Sequence, residues 1–349
     1  MFVYRFMIEI KGTKPRERFP KDYTVDPVKL AAGRYGTKEM VEIWGPEKTY
    51  EFGLICQGQA SLTLSRLYPD VVPAHHAEEI SSKANLQTIS ASRIRELEEK
   101  TGHDVIAINT GLEEQLSIVA RPHCNKLKTS ADTTQPAKAL QFKESLEAIA
   151  ESTENLRDII IEKSVAWIDV PHMDLTHLYD AVPSVAGRAF SYYAEMLQSG
   201  LKFLKFVYDN SIIGKWGDAT GNHHSATASQ VDGIQLQQAY CLDLGIGFMD
   251  APAQVPGLEF EADIMYVLSR LSETMNNLAN YIANGRGDDV NIFINASPKK
   301  QKGSSAMPHK DAKNGNPDAE EQFMSVRNYL AGNLVTAIMN CQIPYARNL

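Results

Sequence analysis

Residues 260–284 read FEADIMYVLSRLSETMNNLANYIAN, and Gly285 follows. Ile264, Leu268, Leu271, Met275, Leu278 and Ile282 step by four, three, four, three and four residues. That rhythm keeps one narrow apolar seam along an α-helix and leaves the rest of its circumference polar. The seam is too narrow for a helix buried on every side and fits one member of a bundle, with Gly285 as the stop. Working outward, residues 135–165 place Leu146, Ile149, Leu156 and Ile160 on one stripe, and 186–209 and 318–340 are two further long helical stretches. Long helices packed side by side predict a mainly α protein organised as a long-helix bundle. A seam left open on one chain would be a liability, so the pattern also predicts association of several copies.

Toward the amino terminus the elements are shorter. Residues 46–67 are predicted helical from Pro46, a residue suited to a first helical turn. Residues 76–100 are predicted as one charged helix ending at Thr101-Gly102, and Met40, Ile43 and Trp44 mark one side of a short helix. Residues 11–32 are rich in Lys, Arg and Pro without a sustained period and read as an extended arm. Residues 172–187, which contain Pro183, read as a break between two long helices. The expected division is an extension over 1–32, a smaller N-terminal α domain over 33–128 and a helix-bundle domain over 129–349.

Composition bounds the function. With 349 residues, 43% of them hydrophobic and 22% charged, the chain can bury a large core. A formal net charge of -8 argues against a duplex nucleic-acid binder, which needs a basic face. No apolar run approaches the roughly 20 residues of a membrane span, and the apolar start is interrupted by Arg5 and Glu9. A cytoplasmic protein without nucleic-acid or membrane partners is expected. Cys56, Cys124, Cys241 and Cys341 are scattered, and His223-His224 have no carboxylate or cysteine at ligand spacing, so no metal site or disulfide framework is predicted.

Residues 299–321 are polar and glycine-bearing, with Gly303 free to turn and Pro308 barring a continuous helix. By composition they are equally a solvated linker or a lid carrying Ser304, Ser305, His309 and Lys310. The order of residues separates the two readings. Gly303-Ser304-Ser305-Ala306-Met307-Pro308-His309-Lys310, then Asn316-Pro317 and Glu321, resembles the signature loop of the fumarase/aspartase superfamily of lyases. The Ala-Met-Pro-His-Lys form is similar to that of the adenylosuccinate lyases. Ala312-Lys313-Asn314-Gly315 stand as an insertion before Asn316, so Asn314 and Asn316 are alternatives for the loop asparagine.

Other positions extend the resemblance over residues 33 to 349. Arg34 and Tyr35 are by themselves a surface charge and a packing residue, or a phosphate ligand beside a base-stacking ring; the resemblance implies the second. His103 is by position a cap or surface group; family members have a His-Asp pair there, which implies a ligand-facing imidazole oriented by Asp104. Thr129 and Ser130 suit a helix cap, and a helix start also offers amide donors to an anion; family members hold carboxylates with a Thr-Ser-x-Asp at this place. Thr176-His177 match a further family motif, but Leu175 and Tyr179 stand where the family has Arg and Gln. Read without the family, His177 is as well an interior histidine joining two helices. His123 lies too far from the family's spacing and stays outside the site.

The resemblance implies a fumarase/aspartase-type bundle assembled as a homotetramer with shared active sites. It also implies elimination of fumarate from adenylosuccinate to give AMP in purine biosynthesis, with the succinylated imidazole carboxamide ribotide as a second substrate and no cofactor. Ser304, or Ser305 in its place, is the candidate base and His177 the candidate acid. Lys310 with Asn316 would stabilise the developing dianion. Arg34, Tyr35, His103, Asp104, Thr129, Ser130, Thr176, Ser305 and Met307 complete the candidate substrate contacts. Relatives continue into a third helical domain, which this chain is expected to lack. The alternatives are a catalytically inactive helical oligomer of the same fold, or another lyase such as argininosuccinate lyase.

Overall fold

The computed structural model describes residues 36–177, 179–287, 290–294, 316–342 and 345. Among these residues there are eleven α-helices and two small two-stranded sheets. They gather into two compact units. The first comprises the described residues up to Ile149 with Lys205–Phe260 and the described part of Gln342–Leu349, and the second Ala150–Leu204 with the described part of Glu261–Cys341.

The first unit opens with α1 (Lys38–Ile43), where Thr37 Oγ1 accepts the Met40 N–H at 3.2 Å and so satisfies a donor that the helix itself leaves unpaired. Helix α2 (Pro46–Leu67) starts at Pro46 as expected. The charged stretch expected as one helix is two, α3 (Ala74–Lys83) and α4 (Ala91–Thr101). Between them Asn85 Oδ1 accepts the Thr88 N–H at 2.9 Å and Ser90 Oγ accepts the Arg93 N–H at 3.2 Å. Short polar side chains that bond nearby backbone compete with helix continuation, and here they win. Gly102 then ends α4 with φ 64, a left-handed conformation that costs a residue with a Cβ, and α5 (Asp104–Glu113) follows. Leu54, Ile80, Ile94 and Leu112 form a fully buried cluster across these four helices. Each such side chain contributes about 1.5–3 kcal/mol on burial.

Helix α6 (Ala131–Ala166) begins four residues before the expected 135 and keeps Pro136 inside it. Proline has no N–H to give to the carbonyl four residues back. That carbonyl, Asp132 O, instead accepts the Tyr240 hydroxyl at 3.3 Å. After α7 (Gly187–Ser211), strand β3 (Ile213–Gly214) pairs in parallel with β4 (Gly247–Phe248); β1 and β2 precede both and are placed below. Between them lie α8 (His224–Ala228) and α9 (Gly233–Asp243), the latter capped by Asp232 Oδ1, which accepts the Ile234 and Gln235 N–H groups at 3.0 Å. Asp243 ties α9 to α2 by accepting from Thr63 Oγ1 and Arg66 Nη2, both at 2.6 Å.

In the second unit the seam of α10 (Glu259–Gly285) is only half covered: Ile264, Leu271 and Leu278 are buried, while Leu268, Met275 and Ile282 are partly exposed. A Cβ added at Gly200 of α7 would lie 2.4 Å from Leu271 Cδ2, so the glycine is what admits this leucine. Leu278 joins Ile160, Phe190, Ala194 and Leu197 in the unit's core. Helix α11 (Asp318–Asn340) matches its expected bounds and buries none of its residues. Residues 172–187 are not an irregular break but a hairpin, β1 (Pro171–Thr176) against β2 (Tyr179–Val185), antiparallel. Pro183 is tolerated because a two-stranded ribbon leaves each strand one unpaired edge. No helix among the described residues is long and apolar enough to cross a membrane.

Candidate active site

Of the candidate residues, Arg34, Tyr35, Ser304, Ser305, Met307 and Lys310 lie outside the described residues, as do the 1–32 extension and Asn314. The first unit carries His103, Asp104, Thr129 and Ser130; the second carries Thr176, His177 and Asn316.

In the first unit the structure joins two motifs that are 27 residues apart. His103 is the residue at the start of α5 and Ser130 the residue before α6, and His103 Nε2 lies 3.2 Å from Ser130 Oγ. The other ring nitrogen, Nδ1, is 3.0 Å from Asp104 Oδ1. Asp104 Oδ1 also accepts the Val105 N–H at 2.7 Å, which fixes the carboxylate beside the ring. The imidazole thus lies between a carboxylate and a hydroxyl.

Behind Ser130 the polypeptide is anchored by Asp132, which is fully buried. Its Oδ1 meets Lys215 Nζ at 2.7 Å and the Gly217 N–H at 2.9 Å; its Oδ2 accepts the Thr129 N–H at 2.8 Å and the Asp218 N–H at 3.1 Å. Lys215 is equally buried and also donates to Asp218 O at 3.2 Å. A buried pair is favourable only when the remaining lone pairs and protons are satisfied, and here the carboxylate has four partners. The amide donors of Asp132, Thr133 and Thr134 bond to Thr129 O and Ser130 O. What this helix start offers a ligand is therefore the Ser130 hydroxyl and the His103 imidazole rather than a row of bare amides. Asp132 is the aspartate of the Thr-Ser-x-Asp motif, but nothing in the sequence links positions 132 and 215.

Thr176 and His177 occupy the exposed end of the β1–β2 hairpin, and His177 has φ 54. An interior histidine joining two helices is excluded by that exposure. A left-handed residue at a tight hairpin end matches the right-handed twist of the strands, so the backbone projects this side chain from the tip. Leu175 and Tyr179, the two departures from the family motif, flank it at 52% and 79% exposure. Asn316 precedes α11, and its carbonyl accepts from Arg286 Nη2 at 3.4 Å; Arg286 Nη1 meets Glu320 Oε1 at 3.1 Å, which fastens the first turn of that helix.

A family model described as Lyase matches residues 34–329. The chain belongs to this lyase family. Among curated relatives, the adenylosuccinate lyase of Pyrococcus abyssi is 26% identical over 316 residues, covering 90% of this chain and 68% of the relative. That of Methanocaldococcus jannaschii is 26% identical over 317 residues, covering 90% and 67%. Solved structures share the fold as well. A fumarate lyase from Mesorhizobium superposes with TM-score 0.69 at 17% identity, covering 85% of this chain and 64% of that one. The β-carboxy-cis,cis-muconate cycloisomerase of Acinetobacter calcoaceticus superposes with TM-score 0.76 at 15% identity, covering 92% and 70%. This lyase chain spans about two thirds of the length of these relatives.

Proposed function

We propose that the protein eliminates fumarate from adenylosuccinate, breaking a carbon–nitrogen bond to release AMP, and acts in the same way on the succinylated imidazole carboxamide ribotide of purine biosynthesis. The observation that carries this reading is the His103 Nε2 to Ser130 Oγ contact at 3.2 Å, which brings two separate motifs into one anion-facing cluster. The relatives named adenylosuccinate lyase, matched over 90% of the chain, supply the substrate.

In this reading Ser304, or Ser305 in its place, removes the proton beside a substrate carboxylate. A hydroxyl becomes basic enough only when the loop closes and water is excluded. Lys310 with Asn316 stabilises the dianion that follows. His177, presented at the hairpin tip, protonates the leaving nitrogen. Thr129, Ser130 and Thr176 hold the succinyl carboxylates; His103, oriented by Asp104, faces an anionic group; Arg34 and Tyr35 take the nucleotide, and Met307 packs on it. The residues fall in an N-terminal domain over 33–128 and a bundle domain over 129–349, preceded by an extension over 1–32. The protein works in the cytoplasm as a homotetramer that shares its sites. Support for assembly comes from α11, whose Phe323, Tyr329, Val335, Ile338 and Met339 are all exposed, large apolar side chains that further copies would cover.

The test is fumarate release from adenylosuccinate by the purified, assembled protein. Equal molar yields of fumarate and AMP are expected; neither product at high enzyme concentration would overturn the proposal. A second reading, an inactive oligomer of the same fold, is favoured by Leu175 and Tyr179 beside His177, and the same assay decides between them.

A further inference from the structure

His123, which its spacing leaves outside the substrate site, belongs to a cluster of its own in the first unit. Its ring stacks on that of His76 in α3, with ring centres 5.1 Å apart and planes 20° from parallel, and His76 in turn meets His75 at 3.9 Å. Lys126 joins them: its ammonium donates to Val71 O at 2.8 Å and lies 3.5 Å from His123 Nδ1. Three imidazoles and an ammonium thus fasten residues 121–126 to the start of α3, much earlier in the chain.

These contacts suit neutral rings. A neutral His123 Nδ1 can accept from the ammonium, whereas a protonated one would set two donors and two positive charges 3.5 Å apart. His76 Nδ1 is buried and has no hydrogen-bond partner among the described residues, so a proton added there would be a buried donor without an acceptor. The side chains that act on His123 are Lys126, His76 and His75, none of them a carboxylate. The nearby carboxylates are occupied or face solvent. Glu79 of α3 is committed to Ser117 and Lys83, Glu113 of α5 acts on Cys124, and Glu78 and Asp70 are exposed. Arg121, on the segment of His123, donates to Leu116 O at 3.2 Å. Burial first, then Lys126 and His76, lower the His123 pKa, against hydrogen bonding at the Val71 backbone.

A second tie joins the same parts of the chain and resists acid. Glu79 accepts the Ser117 N–H at 2.7 Å and the Ser117 hydroxyl at 2.8 Å, and with the Lys83 bond these hold its carboxyl down at about 2.

We propose that the His75–His76–His123 stack is an acid-released clasp: protons taken up by the rings beside Lys126 part residues 121–126 from α3, while the Glu79 tie keeps Ser117 in place. The clasp does not depend on the reaction proposed above. A folded His123 pKa below the ordinary 6.5 means a clasp that is complete above about 6.5 and weakens as pH falls from there toward the folded value.

The test is hydrogen exchange on the purified protein between about pH 7.5 and about pH 4.5, corrected for the intrinsic rate at each pH. The His123 and Cys124 amides donate to Ala120 O and Arg121 O. They should lose about tenfold in protection for each pH unit below 6.5, because opening takes up one proton, until His123 is charged in the closed form as well. The Ser117 amide should keep its protection over the same range. His123→Gln, which can still accept from Lys126, should flatten the loss, and Lys126→Gln, which keeps a donor without the charge, should shrink it. Protection of His123 and Cys124 that does not change with pH, or a Ser117 amide that opens in step with them, would overturn the proposal from wild type alone, even if neither variant folds. A His123→Gln variant with the wild-type acid profile would do the same.

Discussion

Two parts of the candidate site are built in opposite ways. The corner at Thr129–Asp132 is anchored from inside, by a fully buried carboxylate that meets Lys215 and three backbone amides. The hairpin end at Thr176–His177 stands in the open, its neighbour Tyr179 at 79% exposure. The first arrangement makes that corner rigid by itself. The second spends almost nothing on stability, leaves its histidine free to meet a partner surface, and gains its environment only when something covers it. Changes at the corner should therefore register in folding, and changes at the exposed functional groups in turnover.

The largest expected effect lies outside both parts, at the base of the proposed mechanism. Ser304→Ala should lower kcat by on the order of a thousandfold or more with little change in substrate affinity; single-turnover kinetics with near-normal rates would remove Ser304 from the mechanism. Asp132→Asn should cost about 3–5 kcal/mol, because it leaves the Lys215 ammonium buried beside a neutral amide. Urea denaturation followed by circular dichroism measures this, and the exposed Lys205–Asp209 pair, whose loss should cost no more than about 1 kcal/mol, is the control. Leu278→Ala should cost about 2–4 kcal/mol by leaving a cavity in the core of the second unit. Ile338→Ser on the exposed face of α11 should instead leave the unfolding midpoint of dilute protein unchanged and shift sedimentation toward smaller species.

Two smaller effects sharpen the contrast within the first unit. Leu127→Gly should stabilise by about 1 kcal/mol, since φ 59 is strained for leucine and free for glycine; a lower melting temperature would mean that the leucine side chain contributes more packing than its backbone costs. Glu79 accepts the Ser117 N–H at 2.7 Å and the Ser117 hydroxyl at 2.8 Å, and these hydrogen bonds with that from Lys83 hold its carboxyl down at about 2. A folded pKa below the unfolded value means stability that is complete above about 4.5 and lost as pH falls toward 2. Glu79→Gln should flatten the pH dependence of unfolding in that acid window and leave it unaltered near pH 7.

How much was legible differs between elements for physical reasons. Helices α2 and α11 were read to the residue at their bounds, since Pro46 and Pro317 mark where a helix can begin. The split between α3 and α4 was missed because it rests on Asn85 and Ser90 bonding their own backbone, a local competition that a charge pattern does not display. The β1–β2 hairpin was missed because its flanks are long helices and its Pro183 is usually a sign against strand. The His103–Asp104 contact joins neighbours in sequence and is legible there, whereas Asp132 and Lys215, which meet in the interior, carry no shared motif.

The sequence by itself determined that the chain is a set of long amphipathic helices and which residue types its motifs carry, because periodicity and motif order are local properties of a polymer. Only the tertiary structure decided which of those motifs meet, that the carbonyl left unpaired by Pro136 goes to Tyr240, and that His123 stacks on His76. These depend on where the chain returns to itself, and the burial that gives such contacts their energy does not exist until it has done so.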